Sequence, residues 1–492
     1  MRRLEDTTPR RHPRILPGHR QQERSRHQKG QGTHHGSWGA PLLFGLLIAA
    51  LGACQAQNEA PAHPYVRGGA LCDVEGRTLI LRGVNLSASH KHAPYLDFHG
   101  AAEIRAVREV WGMNALRFLI SWTALEPKPG VYDEAYVTAL RKRLDWAHEA
   151  GLWVILDMHQ DVYGEGFGGN GAPRWTCDEA EYEAHQPTSP WFLNYQSPPV
   201  MRCFDHLYTD VTLRKRFSKM WQHLAEAFAS HPAVIGFDVL NEPHWGTHSV
   251  YSFERERLTP FYTEVVEAVR KAAPHWIAFL EPANSRNLGI PTSLMPFPFD
   301  NIAYAPHSYD AQAEQGLGFD PTHRQAIIDN VAALSSEAKR LGTALWIGEY
   351  GGVSEHPGIA DYLAAQYDAA GAVGASTMVW EYGKGDGYSL LDQDGKSKPV
   401  LLGALALPYP RRVAGDLLRY SYAAKSRRFE MTLNPDPNVS APTIIEIPER
   451  VYGGHYAIAC DGCTIKKHPW GVAISDLPPT KTPLTIALTP SP

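Results

Sequence analysis

Short apolar segments alternate regularly with longer amphipathic segments from about residue 76 to residue 410 of this 492-residue chain. The apolar segments are typical of buried strands, and the amphipathic ones repeat their apolar residues at helical spacing. Alternating strands and helices form a parallel sheet, and eight such units predict a closed (β/α)8 TIM barrel. An open doubly wound sheet is the alternative, but no predicted helix begins with a glycine-rich phosphate loop. The predicted strands are residues 79–85, 115–121, 153–159, 234–242, 276–281, 302–307, 345–349 and 376–381.

The pattern changes after Ala414, where short alternating segments are separated by Pro, Gly and Asn and no long helical segment follows. This pattern predicts a small C-terminal antiparallel β-sandwich that packs on the barrel. Its predicted strands are residues 428–433, 443–447, 455–459, 471–475 and 483–488. The predicted domains are an export segment with a long basic extension (1–54), a linker and lead-in strand (55–75), the catalytic barrel (76–413) and the sandwich (414–492).

The beginning of the chain has the composition of an export signal. Residues 1–36 are rich in Arg, His and Gln, and residues 40–51 form an apolar run that is too short to span a bilayer as a helix. The run ends in Leu-Gly-Ala-Cys at Cys54, which resembles the cleavage box of bacterial lipoproteins, where the cysteine carries the lipid. An ordinary signal peptide is the alternative. We expect an exported protein, either extracellular or a membrane-anchored lipoprotein.

Charge and cysteine content narrow the possible partners. The net charge is −5 although the first residues are basic, so the body of the chain is acidic, which argues against a nucleic-acid partner. Export permits disulfides. Cys177 and Cys203 bracket a long connection that a disulfide between them would hold. The spacing of Cys460 and Cys463 favours a tight disulfide over a zinc site. If Cys54 is lipidated, Cys72 is left without a partner. We expect a monomer.

Polar residues gather at the predicted carboxyl ends of the strands, which meet at one face of a barrel. Each alone is more often a packing residue, but together they predict an active site, since polar groups at the ends of apolar strands cost stability unless they are used. The candidates are Arg117, His159, Asp161, Asn241, Glu242, His307, Tyr309, Glu349 and Trp380.

Two of these candidates, Glu242 and Glu349, follow the fourth and seventh strands. A facing pair of carboxyl groups about 5–5.5 Å apart performs retaining glycoside hydrolysis, in which one protonates the leaving oxygen and the other attacks the anomeric carbon. Arg117 and Tyr309 are placed to stabilise an ionised nucleophile. Asn241, beside the predicted acid, is placed to bond a sugar hydroxyl. The flat face of Trp380 suits a sugar ring.

The run Asn-Glu-Pro at 241–243, the strand end at His159, the His-Ser-Tyr run at 307–309, Gly348-Glu349 and Trp380 resemble glycoside hydrolase family 5 over about residues 70–410. Within this family, residues 156–164 (LDMHQDVYG), residues 237–246 (FDVLNEPHWG) and the C-terminal sandwich resemble the endoglycoceramidase-related branch. The resemblance implies cleavage between a glycan and ceramide, with Glu242 as acid/base and Glu349 as nucleophile. It also implies that Asp161 and Lys91 hold hydroxyl groups of the sugar.

The connection over residues 163–208 is rich in aromatic residues, and a structureless connection of this length is usually functional. Residues 290–299 are apolar and proline-rich, and we expect both segments on the catalytic side. They would line a groove for a lipid chain or touch a membrane surface, form a platform for sugars, or simply pack together. The aromatic residues are Tyr163, Phe167, Trp175, Tyr182, Trp191, Phe192, Tyr195, Phe204 and Tyr208.

These features predict a secreted retaining β-glycosidase that acts on glycosphingolipids or related lipid glycosides, with a glycolipid or oligosaccharide as substrate. The alternative within the same class is an endo-β-1,4-glucanase or mannanase acting on soluble polysaccharide. A different class is a catalytically inactive glycan- or lipid-binding lipoprotein. The expected chemistry needs neither a metal nor another cofactor, and the histidines lack the spacing of a zinc site.

Overall fold

The computed structural model describes residues 63–96, 98–478 and 482–491, which belong to one compact unit, Glu59–Pro492. The predicted export signal and Cys54 lie outside the described residues. None of the described helices combines the length and the apolar composition that crossing a bilayer requires.

The strands fall into three groups along the chain. Three short ones come first: β1 (Tyr65–Arg67), β2 (Ala70–Cys72) and β3 (Thr78–Leu79). The next eight are parallel and close into a barrel: β4 (Arg82–Leu86), β5 (Ala115–Ile120), β6 (Trp153–Met158), β7 (Val234–Asp238), β8 (Ile277–Leu280), β9 (Ile302–Tyr304), β10 (Ala344–Tyr350) and β11 (Ser376–Val379). The last eight are β12 (Tyr409–Val413), β13 (Gly415–Ala423), β14 (Arg428–Pro435), β15 (Thr443–Glu446), β16 (Tyr456–Ala459), β17 (Thr464–His468), β18 (Gly471–Ser475) and β19 (Leu484–Pro490).

Helices connect the barrel strands and cover their outer surface. They are α1 (Ala101–Glu109), α2 (Trp122–Leu125), α3 (Glu134–Glu149), α4 (Glu179–Ala184), α5 (Pro198–Thr209), α6 (Val211–Phe228), α7 (Thr259–Arg270), α8 (Ala311–Glu314), α9 (Arg324–Leu341), α10 (Ile359–Val373) and α11 (Pro399–Leu405), and α12 (Glu449–Tyr452) lies among the last strands. The predicted barrel is therefore confirmed, with strand bounds that differ from the predicted ones by a few residues.

Alternation along the strands directs the functional side chains inward. Ala115 belongs to the apolar cluster inside the barrel, and Arg117, two residues later, faces the same way from the middle of β5. Ala305 and His307 repeat this relation after β9. The barrel interior is therefore apolar at the amino ends of its strands and polar at their carboxyl ends.

Glu349 reaches the interior through an irregularity rather than through alternation. Ile347 and Tyr350 both pack in the outer core, so strict alternation would turn Glu349 towards the helices. The register between β10 and β11 shifts between these two residues, and Glu349 instead forms a bridge with His307. Such a shift re-aims a side chain near the end of a strand.

The last strands form the predicted antiparallel sandwich, with one sheet in the order β13-β14-β19-β16 and a larger one in the order β1-β2-β3-β12-β15-β18-β17. The two sheets share an apolar core that also contains Tyr367 of α10. The larger sheet takes strands from the predicted lead-in (55–75) and from the end of the predicted barrel range (76–413). It does so because β3 pairs with β12, at Leu79 with Arg412, a contact between distant parts of the chain.

The two predicted disulfides are confirmed. Cys177 and Cys203 are paired, with Cα atoms 5.5 Å apart, and Cys460 is paired with Cys463. Cys72 is buried and has no disulfide partner among the described cysteines.

The expectation of a structureless connection over residues 163–208 is wrong, since it contains α4, α5 and short 3₁₀ turns. Most of its aromatic side chains pack on one another in the core. Residues 290–299 also differ from expectation, because their path leaves the catalytic face. Phe297 and Phe299 lie beside Asn301 and Thr343, which directly precede β9 and β10, so this part is at the amino ends of the strands.

Candidate active site

A cleft of about 370 Å³ opens at the carboxyl ends of the barrel strands. It is lined by eight of the ten residues singled out from the sequence, namely Lys91, His159, Asp161, Asn241, Glu242, Tyr309, Glu349 and Trp380. The other two, Arg117 and His307, contact Glu349 and Glu242 from beneath. The structure therefore brings all ten together around one cleft.

The carboxylate of Glu349 is held by a donor at each oxygen. Nη1 of Arg117 donates to Oε1 at 2.5 Å, and the hydroxyl of Tyr309 donates to Oε2 at 2.7 Å. The two donors together fix the orientation of this carboxylate in the cleft.

Glu242 lies opposite Glu349. One carboxylate oxygen of each residue and a ring nitrogen of His307 all lie within 4.8 Å of one another. Glu242 has a backbone φ of 42°, a conformation that is costly for a residue with a side chain and that is often found at functional sites. Its main chain is fixed because its N–H donates to Oε2 of Glu281 at 2.8 Å and its carbonyl accepts from Gln160 at 3.1 Å.

His307 sets the protonation state of Glu242. Nδ1 of His307 lies 2.8 Å from Oε1 of Glu242. Burial alone would lower the pKa of His307, but the carboxylates of Glu281 and Glu349 and the hydrogen bond with Glu242 raise it well above its usual value. Burial alone would raise the pKa of Glu242, but His307 lowers it. Both shifts favour the pairing of a protonated imidazole with an ionised carboxylate.

Arg117 is the centre of a buried charge network at the floor of the cleft. Besides Glu349, its guanidinium contacts Asp157, Asp238 and Glu281 at 2.8–3.0 Å. Burial alone would lower the pKa of Arg117, but these carboxylates raise it well above its usual value. The oxygens of the three acids lie close enough together to suit a metal ion, but the guanidinium already supplies their counter-charge.

A second cluster of side chains forms one wall of the cleft. Nζ of Lys91 lies 2.6 Å from Oδ2 of Asp161 and 4.3 Å from the centre of the Trp380 ring, and this ring stacks on His159. Burial alone would raise the pKa of Asp161, but Lys91 and His159 lower it well below its usual value. The wall thus presents an ionised carboxylate, an ammonium group and part of an indole, which are groups that recognise sugar hydroxyls and sugar rings.

Several residues of the site were not predicted. Alternation along the strands could have found Asp157 and Glu281, which face inward like Ile155 and Phe279 two positions earlier. Asn287, whose Nδ2 donates to Oε1 of Glu242 at 2.8 Å, and two cleft residues, Glu314 and Tyr388, lie in connections that carry no periodic signal.

The comparisons with known proteins agree with this geometry. Residues 72–386 match the family model described as Cellulase (glycosyl hydrolase family 5), and residues 408–475 match the glycoside hydrolase family 5 C-terminal domain. Together these matches cover the barrel and most of the sandwich.

Among curated proteins, endoglycoceramidase I of Rhodococcus hoagii (strain 103S) is 26% identical over 460 residues, which cover 87% of this chain and 89% of that protein. Among solved structures, endo-glycoceramidase II from Rhodococcus sp., in a complex with a cellobiose-like imidazole, superimposes with a TM-score of 0.78 at 32% identity, over 86% of this chain and 100% of the other. The same protein in a complex with ganglioside GM3 gives a TM-score of 0.78 at 31% identity, over 87% and 100% of the two chains. This chain therefore belongs to glycoside hydrolase family 5, as a glycosidase of its endoglycoceramidase-related branch.

Proposed function

We propose that this enzyme is a retaining β-glycosidase that cleaves the bond between the glycan and the ceramide of glycosphingolipids or of related lipid glycosides. The observation that carries the proposal is the approach of the Glu242 and Glu349 carboxylates to within 4.8 Å at one cleft. This separation suits a covalent intermediate and leaves too little room for the water that inverting enzymes place between their carboxyl groups. The similarity to endoglycoceramidases, one of them in a complex with ganglioside GM3, supports the lipid glycoside as substrate.

Glu349 is the nucleophile and Glu242 the acid/base in this proposal. In the first step Glu349 attacks the anomeric carbon while Glu242 gives a proton to the glycosidic oxygen, and the bonding electrons leave with that oxygen as the ceramide hydroxyl. In the second step Glu242 takes a proton from water, whose oxygen displaces Glu349 from the anomeric carbon. The products are the free glycan and ceramide, at the expense of one water molecule.

The hydrogen bond between His307 and Glu242 supplies the proton for the first step. In the open cleft the proton stays on His307. A bound substrate excludes water from the cleft, which penalises the charged form of Glu242 and raises its pKa. The proton then moves along a contact of 2.8 Å from Nδ1 of His307 to Oε1 of Glu242.

The glycan binds against the wall formed by Lys91, Asp161, His159 and Trp380. The ionised carboxylate of Asp161 accepts hydrogen bonds from sugar hydroxyls, and Lys91 donates to them. Asn241 is fixed by Nη2 of Arg117, which donates to its Oδ1 at 2.9 Å. It is thereby oriented towards the hydroxyl next to the anomeric carbon, a contact that strengthens in the transition state.

The lipid part meets a rim patch that consists of Trp191, Phe192 and Leu193. These consecutive side chains are 56%, 39% and 44% exposed, and Trp191 and the adjacent Asn194 line the cleft. Three large apolar side chains at the mouth of a cleft favour contact with an apolar partner. We assign this patch to the surface of the membrane or micelle that holds the glycolipid.

We also propose that the enzyme is exported and acts as a monomer outside the cytoplasm. In this proposal Cys54 is the residue that carries the lipid. His63, the first described residue, stacks on His275, close to the amino end of β8. His63 therefore lies at the face of the barrel opposite the cleft. Cys54→Ser is expected to move the protein from the membrane fraction to the soluble one, whereas Cys72→Ala leaves it in place.

The substrate class is tested by offering the enzyme lactosylceramide dispersed in detergent and, separately, carboxymethylcellulose. We expect mass spectrometry to detect free lactose and ceramide from the glycolipid. Cleavage of the polymer alone would favour a polysaccharide endoglucanase, the alternative that the description of the family model favours. Binding of the glycolipid without any product would favour an inactive lipoprotein.

A further inference from the structure

A third acidic side chain, that of Glu314, lines the same cleft as Glu242 and Glu349. It ends α8, in the connection that follows β9. Its main chain is held by two neighbouring connections, since the hydroxyl of Tyr388 donates to the carbonyl of Glu314 at 2.6 Å and the N–H of Val353 donates to the carbonyl of Ala313 at 3.0 Å. The connection that carries Glu314 follows β9, and it is thus fixed at the cleft by the connections that follow β10 and β11.

The side chain of Glu314 has no such partner. Within the described part of the chain, its carboxyl group makes no hydrogen bond and no ion pair. Burial, followed by the negative charges of Glu242 and Glu349, raises the pKa of Glu314 to about 7. A carboxyl group that exists in both forms near neutral pH can donate a hydrogen bond as well as accept one, and leaving it unsatisfied in a filled cleft costs stability.

The order of the barrel strands places Glu314 across the cleft from Lys91 and Asp161. These two residues of the wall proposed to bind the glycan follow β4 and β6, which flank β5 in the closed barrel. Glu314 follows β9, which is four strands from β5 in either direction around the barrel. Glu314 therefore lies on the side of the cleft away from Lys91 and Asp161, the side to which we assign the leaving group.

We infer that Glu314 is a specificity-determining residue that hydrogen-bonds a polar group of the leaving lipid, next to the glycosidic oxygen. The inference rests on the proposed function. A ceramide offers such groups, because its amide N–H and its secondary hydroxyl lie within a few bonds of the glycosidic oxygen. A nitrophenyl leaving group has neither an amide nor a hydroxyl group.

Steady-state kinetics of Glu314→Ala on lactosylceramide in detergent and on 4-nitrophenyl β-lactoside tests the inference. We expect KM for the glycolipid to rise about tenfold, the effect of losing one or two hydrogen bonds, and the hydrolysis of the nitrophenyl glycoside to change less than about twofold. Glu314→Gln retains both a donor and an acceptor and should restore most of the affinity for the glycolipid. Gln312→Ala, at an exposed position of the same helix, is the matched control and should behave as wild type on both substrates.

An equal loss on both substrates, or no change on either, would overturn the role of Glu314. Thermal unfolding of each variant shows whether a loss of activity is due to misfolding. If Glu314→Ala is misfolded, the kinetics of Glu314→Gln decide whether the role of Glu314 holds. A wild-type enzyme that leaves lactosylceramide intact would overturn the proposed function and this inference with it. If the wild-type enzyme cleaves lactosylceramide and Glu314→Ala leaves KM for it unchanged, the inference about Glu314 is overturned and the proposed function stands.

Discussion

Nη1 of Arg117 donates to Oε1 of Glu349 at 2.5 Å at the floor of the cleft. This contact joins β5, the second strand of the barrel, to β10, the seventh, and it leaves Glu349 facing Glu242. Since Tyr309 holds the second oxygen, the carboxylate is oriented without help from the substrate. From this geometry we expect substitutions of Glu349 and of Glu242 to affect activity in different ways.

Glu349→Ala should lower turnover of a glycolipid on the order of 10⁴-fold, because the covalent intermediate can no longer form. Azide should restore part of the activity by attacking the vacated face, and it should give the α-glycosyl azide. Nuclear magnetic resonance of the product checks its configuration. Glu226→Ala, an exposed acid on α6, should have wild-type activity and no response to azide. A β-glycosyl azide from the Glu349 variant would reverse the assignment of roles.

Glu242→Ala should discriminate between leaving groups. A ceramide alkoxide is a poor leaving group and needs the proton from Glu242, whereas an activated aryl leaving group needs little acid catalysis. We therefore expect a loss of about 10³-fold or more on lactosylceramide and a much smaller loss in the formation of the glycosyl-enzyme from dinitrophenyl lactoside. Equal losses in this step on both substrates would contradict the role of Glu242 as acid.

Asp161→Asn should destabilise the protein in a pH-dependent way. The pKa of Asp161 is lowered in the folded protein, so the ionised form adds stability above the pKa of the unfolded chain, and this contribution is lost as the pH falls through the folded value. The variant should lose about 3 kcal/mol of unfolding free energy at pH 7, and the difference from wild type should shrink between pH 5 and pH 3. Urea unfolding measures it.

Asp394→Asn is the control for this experiment, because Asp394 and its partner Lys396 are 78% and 77% exposed. An exposed pair of this kind contributes little, so its substitution should change stability only slightly at any pH. A difference between wild type and Asp161→Asn that is constant from pH 7 to pH 3 would show that Asp161 does not titrate as proposed.

Replacing Trp191, Phe192 and Leu193 of the rim patch by Ser should lower activity on glycolipid in phosphatidylcholine vesicles by about tenfold, since each side chain loses apolar burial at the lipid surface. Hydrolysis of a soluble nitrophenyl lactoside should not change. Val400→Ser, at an exposed apolar position on α11, controls for a general loss of surface hydrophobicity. Unchanged vesicle sedimentation and activity of the rim-patch variant would remove the patch from the proposal.

Much of the site could be predicted because parallel strands end at one face of a barrel. Arg117, within its strand, and His159, directly after its strand, needed only the correct assignment of strands. Glu349 was placed by its neighbours in sequence, although strict alternation would have turned it outward, and the register shift that redirects it has no periodic signal. Asn287 and Glu314 depend on the paths of connections, which local sequence does not determine.

In the sandwich too, the local sequence predicts some strands and misses others. Strands with a buried face, such as Thr443–Glu446, were predicted from their apolar residues. Thr464–His468 was missed because its side chains are largely exposed, and Gly415–Ala423 was missed because polar and apolar residues are mixed along it. The pairing of residues 65–79 with the C-terminal sheet joins distant segments, and no local pattern reports such a contact.

Trapping with a 2-deoxy-2-fluoro lactoside that carries a dinitrophenyl leaving group tests the central claim most directly. The fluorine slows both steps, but the reactive leaving group keeps the first step fast, so the glycosyl-enzyme accumulates. Mass spectrometry of the intact protein and of its peptides should then find one lactosyl group, attached to Glu349. A label on another residue, or turnover with no label and an inverted product, would contradict the account.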